Sequence, residues 1–292
     1  MSKNLSKQYD LFVSLSADYA PTKSNRDLME RSWFDLSKSR KRQLIEHTTK
    51  DGSWVKIHSD KEYGLATIYD MDILLFITSM LMDKKNKGQQ LSRRITFTGY
   101  EYFYFTNKHR SGRADKQLQE ALTRLHTTRI ETSIRSEHKK NLYSSFYWIS
   151  EWQKLEKDGR AVGYSCVLPD WIFDSITSPR HILTLDEEYF HIAGGLTRWL
   201  YLYCRKARSP KARGVWKESF QSIYTKSGMK SPTKVFRKKL REVISKQSIP
   251  NYYLEENDDE ILTIHRTRRT LRQDKDEVLD LIATSNSKTS ID

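Results

Sequence analysis

With 51 lysines and arginines against 37 aspartates and glutamates, the 292-residue chain carries a formal charge of +14, a field that attracts nucleic acid, anionic membrane or acidic proteins. Aromatic residues at 12% argue against a chain that is disordered throughout. The longest apolar run, the ten residues from Ile73 to Met82 interrupted by Thr78 and Ser79, falls short of the ~20 needed to cross a bilayer.

The length allows roughly one to three domains, and the apolar content suits two modest cores. The start, MSKNLSKQYD, has no apolar signal core, so a cytoplasmic protein with no membrane partner is expected. Residues 1–42 read as a partly extended arm. RQLIEHT and SWVKIHS flank Asp51-Gly52 and predict a hairpin. Asp70 to Asp83 predicts a buried helix with Asp70 as N-cap. RRITFT (93–98) reads as a strand, and Gly99 to Thr106 as strand or helix. After Ser111-Gly112, Leu118, Ala121, Leu122 and Leu125 recur at helical spacing and make one apolar face. RIETSIRS (129–136) and NLYSSFYWISEWQKL (141–155) predict a hairpin across EHKK, and AVGYSCVL (161–168) a third strand closed by Pro169.

A second unit from about Pro179 repeats this order. ILTL predicts a strand, and short helices are expected from Asp186 to Phe190, Leu196 to Arg208 and Trp216 to Ser227, the last ended by Gly228. Ser231-Pro232 is the expected start of a third helix. NYYLE and ILTIHRT, separated by ENDDE, close the unit as a hairpin. Residues 269–292 read as a polar tail with a short helix from Asp274 to Ile282. The expected fold is α+β: two winged helix-turn-helix domains in tandem, over 43–178 and 179–268, with no visible repeat in the sequence.

The segment KSPTKVFRKKLREVISK (230–246) holds seven basic residues and one acid, Glu242. On a helix, Phe236, Leu240, Val243 and Ile244 share one side, while Lys234, Arg237, Lys238 and Arg241 share another. One face packs, and the other can neutralise phosphates or address guanine edges. Lys230, Ser231 and Thr233 stand at its start. In the first domain the candidates are Arg110, Ser111, Arg113, Lys116, Gln117 and Arg124, around a helix start suited to phosphate. Lys139 and Lys140 are either a wing on the backbone or a solvated turn. Arg266 and Arg268, after the second hairpin, carry the same alternatives. There is no GxxxxGK[ST], no HExxH and no His-apolar-His pair beside a tyrosine, so no nucleotide site, metal, other cofactor or catalytic activity is expected. Cys166 and Cys204 have no metal spacing and are expected to be buried, reduced thiols.

GLATIYDMDIL (64–74), Thr106-Asn107 with SGR (111–113), LQEALTRLHTTRIETSI (118–134), LPDWIF (168–173) and LTLDEEYF (183–190) follow one another in the order of the plasmid replication initiator protein A family, which the chain resembles over roughly residues 60 to 250. His126 stands where that pattern has a small residue. The resemblance implies a sequence-specific protein that binds repeated sites in double-stranded origin DNA, aids strand opening, recruits the host initiator and helicase, and represses its own gene as a homodimer. A tandem winged-helix transcription regulator, an origin-nicking enzyme and an RNA-binding protein are the rival readings.

Overall fold

A computed structural model describes residues 11–14, 30–39, 41–49, 52–59, 61–133, 144–158, 160–177, 182–206, 215–257 and 259–267. The fold is mixed α+β and divides into two compact units, Met1–His191 and Ile192–Asp292. The first runs β1 (Leu11–Ser14), β2 (Leu44–Thr48), β3 (Trp54–His58), α1 (Met71–Asn86), β4 (Arg94–Phe97), α2 (Gly99–Phe105), α3 (Gly112–Thr127), β5 (Arg129–Thr132), β6 (Ser144–Tyr147), β7 (Glu151–Lys157), β8 (Arg160–Val167), α4 (Asp170–Thr177), β9 (Ile182–Leu185) and a 3-10 turn, Glu187–His191. The second runs α5 (Gly195–Lys206), β10 (Val215–Ser219), α6 (Phe220–Ser227), α7 (Thr233–Lys246), β11 (Tyr252–Glu256) and β12 (Ile261–Arg266).

A common plan joins the two. Helix, strand, two helices and hairpin follow in that order in each unit. The sheet orders also agree: β4-β8-β7 in the first and β10-β12-β11 in the second. In both, the strand ahead of the helix pair lies beside the last strand of the hairpin. The first unit adds an insertion: β5 and β6 leave the plan and complete a second sheet, β2-β3-β5-β6.

Local chemistry explains most of these elements. The hairpin at Asp51-Gly52 forms as expected, with Leu44 opposite His58 and Thr48 opposite Trp54. Residues 99–105 are helical because Thr98 and Glu101 form a capping box: Thr98 Oγ1 accepts from the Glu101 amide at 3.1 Å, and Glu101 Oε2 accepts from the Thr98 amide at 2.7 Å. Gly228 ends α6 at φ 62, the left-handed backbone that glycine adopts without strain. His126 does not disturb the exit of α3, which continues to Thr127; its Nδ1 lies 3.2 Å from the Ile149 carbonyl oxygen.

Several expectations are corrected. Trp216 opens no helix: Val215 to Ser219 pair with β12, and the helix begins at Phe220 with Ser219 as N-cap. The long second strand of the predicted hairpin breaks at 148–150, and its halves join different sheets. Helix α4 was not foreseen. Residues 182–191 lie with the first unit, because β9 pairs β1. Trp33, Phe34 and Leu36, near the end of the expected arm, pack into the core: all three are buried, and Phe34 stacks on Trp148 at 4.5 Å. Helix α7 starts at Thr233 with Pro232, not Ser231, as its N-cap residue.

Asp70 does not cap α1 with its side chain. Its carboxylate turns inward to Arg124, accepting from Nε at 2.8 Å and from Nη2 at 2.7 Å, while Thr67 donates its amide and hydroxyl to Oδ2. Both charged residues are 4% exposed. Arg124, a candidate for DNA contact by sequence, is therefore a core residue joining α1 to α3. Removing one partner of such a pair strands a buried charge. Arg124→Ala is expected to lower the unfolding free energy by about 3–5 kcal/mol in urea denaturation.

Candidate nucleic-acid interface

Phe236 and Leu240 are fully buried and Val243 nearly so, which seats α7 on its unit by the predicted stripe. The Phe236 ring lies 5.0 Å from that of Tyr224, and the Tyr224 hydroxyl donates to the Ser231 carbonyl at 2.8 Å. The turn between α6 and α7 is thus tied from inside. Gln247 follows α7 at φ 46. Its side-chain amide offsets that strain by bonding Leu254 of β11 both ways, donating to O at 2.7 Å and accepting from N at 3.0 Å. Helix and hairpin are held together at this end.

The cationic face is not uniform. Arg241 directs Nε at both oxygens of Glu256 at 3.0 Å, and its Nη2 reaches Glu256 at 2.7 Å and Glu260 at 3.1 Å. Arg237 pairs with Glu260 at 2.9 Å. These bonds hold Arg241 firmly charged, the bond to Glu256 being the chief cause. The Glu260 carbonyl in turn accepts from the Phe220 amide at 2.9 Å, anchoring the acid beside α6. Lys230, Lys234, Lys238 and Lys239 are exposed and form no ion pair among the described residues. Lys234 and Lys238 lie opposite the buried stripe, at the centre of the open face. Thr233 is half-buried, and the buried Ser231 hydroxyl has no hydrogen-bond partner among the described residues. Arg266 lies over the Trp216 ring at 5.7 Å.

In the first unit Ser111 caps α3, its hydroxyl accepting from the Ala114 amide at 3.2 Å. Arg113, Lys116 and Gln117 share the exposed face of the following turns. Arg110 reaches Asp115 at 3.4 Å. Lys108 is spent structurally, on the buried carboxylate of Asp72 at 2.8 Å. The hairpin that completes the repeated plan is β7–β8, which turns back between Lys157 and Arg160. Sequence reading missed the exposed Lys157 and Lys239. The Asp-Gly pair at 158–159 was the signal for the first. Lys139, Lys140 and Arg268 lie outside the described residues, as does the tail 269–292.

Among the described residues no group of three or more His, Cys, Asp or Glu could hold a metal, and no helix is long and apolar enough to cross a membrane. Cys166 and Cys204 are free and buried; burial pushes the Cys166 thiol up to about 12 and raises that of Cys204 too.

The sequence model of replication initiator protein A matches residues 23–254. The chain belongs to the replication initiator protein A family. A protein of Wigglesworthia glossinidia brevipalpis, named for a part in replication, is 34% identical over 198 residues, 66% of this chain and 71% of that protein. Two crystal structures of domains 2 and 3 of RctB share the fold. One has a TM-score of 0.58 at 13% identity, covering 80% of this initiator-family chain and 94% of that one; the other has 0.56 at 14%, covering 84% and 97%. A place in the initiation of replication accords with the exposed lysines of α7.

The two faces of α7 predict opposite responses. Leu240→Ala is expected to cost about 2–5 kcal/mol of stability, and Lys238→Ala to stay within about 0.5 kcal/mol of the parent, both read from urea denaturation midpoints.

Proposed function

We propose that the chain is a plasmid replication initiator that binds repeated sites in double-stranded origin DNA through two winged helix-turn-helix domains. The carrying observation is that a capped or tied third helix recurs in the same order and sheet plan in both units, and in the second bears unpaired lysines opposite its buried stripe. Such a helix lies in a major groove while the hairpin flanks the backbone. In this reading Lys234 and Lys238 meet phosphates, with Lys230 and Lys239 beside them. Arg113, Lys116 and Gln117 serve the first domain.

Arg237 and Arg241 take a different role. Two glutamates offset their charge and hold their forks, so they join the hairpin to the recognition helix and present it at a set angle. An arginine so held can still address a guanine with its free nitrogen, which makes their replacement informative. The remaining elements of the reading come from the family likeness: help in opening an AT-rich segment, recruitment of the host initiator and helicase, and repression of its own gene as a homodimer. The protein acts by binding in the cytoplasm and cuts no bond.

Each phosphate neutralised contributes about 0.9 to the slope of log affinity against log salt. Lys234→Ala with Lys238→Ala is expected to lower that slope by roughly 2 in gel shifts on origin duplex. Replacing Arg237, Arg241, Glu256 and Glu260 together by alanine leaves net charge unchanged, and the slope is expected to hold. An unchanged slope in the lysine pair would contradict the assignment. Incubation of supercoiled origin DNA with the protein and magnesium is expected to leave the circles closed; nicked circles would overturn the non-enzymatic reading.

A further inference from the structure

A cleft of about 320 Å³ opens in the first unit where the start of α2, the start of α3 and strand β8 meet. Its lining combines Tyr100, Arg110, Asp115, Val162, Gly163 and Tyr164. Two of its lining residues are glycines with close neighbours. A Cβ on Gly163 would come 2.8 Å from the Phe97 carbonyl oxygen, and one on Gly99 would come 3.0 Å from Asp115 Oδ1. A side chain at either position would press on the Phe97 backbone or on Asp115, so both places suit glycine.

Its chemistry is mixed in an unusual way for a surface dent. Tyr100 is 48% exposed and Val162 50% exposed, which leaves an aromatic and an aliphatic wall uncovered. The Tyr100 ring stacks with that of Tyr104, centroids 6.1 Å apart and planes 22° from parallel. The Asp115 carboxylate is split in use. Oδ2 faces Arg110 at 3.4 Å, while Oδ1 is buried with no hydrogen-bond partner. An orphaned buried acceptor invites a donor. Tyr164 is already engaged, accepting from Gln119 at 3.4 Å.

A flat ring that stacks, carries an amine for Oδ1 and trails a phosphate toward Arg110 meets all three demands. We infer that this cleft receives an unpaired nucleobase of single-stranded DNA, with the amine-bearing bases cytosine, adenine and guanine favoured over thymine. A base inside a duplex cannot present its face to Tyr100, so the ligand is a strand already opened. The inference deepens the initiator reading, and rests on it for the source of that strand. The first unit then both grips duplex through the exposed face of α3 and retains a melted strand beside it.

The test is fluorescence anisotropy of the full chain with labelled oligo-dC and oligo-dT of equal length, alongside origin duplex. Stacking on one aromatic ring is worth ~1–3 kcal/mol per base, so Tyr100→Ala is expected to weaken oligo-dC binding by roughly fivefold to a hundredfold. Duplex affinity should stay within about twofold, since the removed ring faces no paired base. Wild-type protein should prefer oligo-dC to oligo-dT, and Asp115→Ala should erase that preference whatever it does to total affinity. Tyr100 is a surface residue, and an unchanged urea midpoint confirms that its loss leaves the fold intact. Unchanged oligo-dC binding in Tyr100→Ala overturns the inference, as does an equal loss on duplex. Competition by free deoxycytidine monophosphate as strong as by the oligonucleotide assigns the cleft to a small nucleotide and likewise overturns it. Failure of the wild type to bind origin duplex, with the oligo-dC preference intact, sinks the initiator reading and leaves the cleft assignment standing.

Discussion

In both units a strand of four or five residues ahead of the helix pair lies beside the last strand of the closing hairpin. That pairing is the constraint on which the rest depends. It brings residues distant in sequence into one ladder, Trp216 against Ile264, 48 positions on, and Thr96 against Ser165, 69 positions on. The helix pair is then trapped on one side, its apolar stripe facing the sheet and its polar stripe outward. A hairpin alone is marginal in water, and a third strand with a packed face makes it stable. The exposed faces of α3 and α7 are consequences of that closure.

Electrostatics separates two kinds of positive charge that composition cannot distinguish. Arg124 is inside, its charge matched by Asp70. Arg237 and Arg241 are outside but matched by Glu260 and Glu256. Lys234 and Lys238 are outside and unmatched among the described residues. Only the last kind contributes its full charge to a field felt by a polyanion. The net charge of +14 is therefore a poor guide to where a phosphate would sit, and the ion pairs are a better one.

Much of this was legible in the residues where the cause is local. The helical spacing of Leu118, Ala121, Leu122 and Leu125, the Asp-Gly turn at 51–52, the glycine after Ser227 and the stripe of α7 all act within a few positions. The capping pair Thr98 and Glu101 was equally local, and would have decided the ambiguous segment 99–106 for helix. What escaped depends on distant partners. Residues 215–219 are a strand because β12 lies beside them, and Arg124 is buried because Asp70 sits 54 residues earlier. The hairpin of the first unit was misplaced because β5 and β6 intervene and read as its strands, although Asp158-Gly159 marked the true turn. The cleft beside Tyr100 draws its lining from three separated segments, which no pattern along the chain brings together.

Footprinting the protein on the origin region of its own replicon tests the central claim most directly. The account predicts discrete protected blocks that recur with the repeats and vanish when the repeat sequence is scrambled. Uniform protection along the fragment, or protection indifferent to scrambling, would show a basic protein coating DNA and would contradict it.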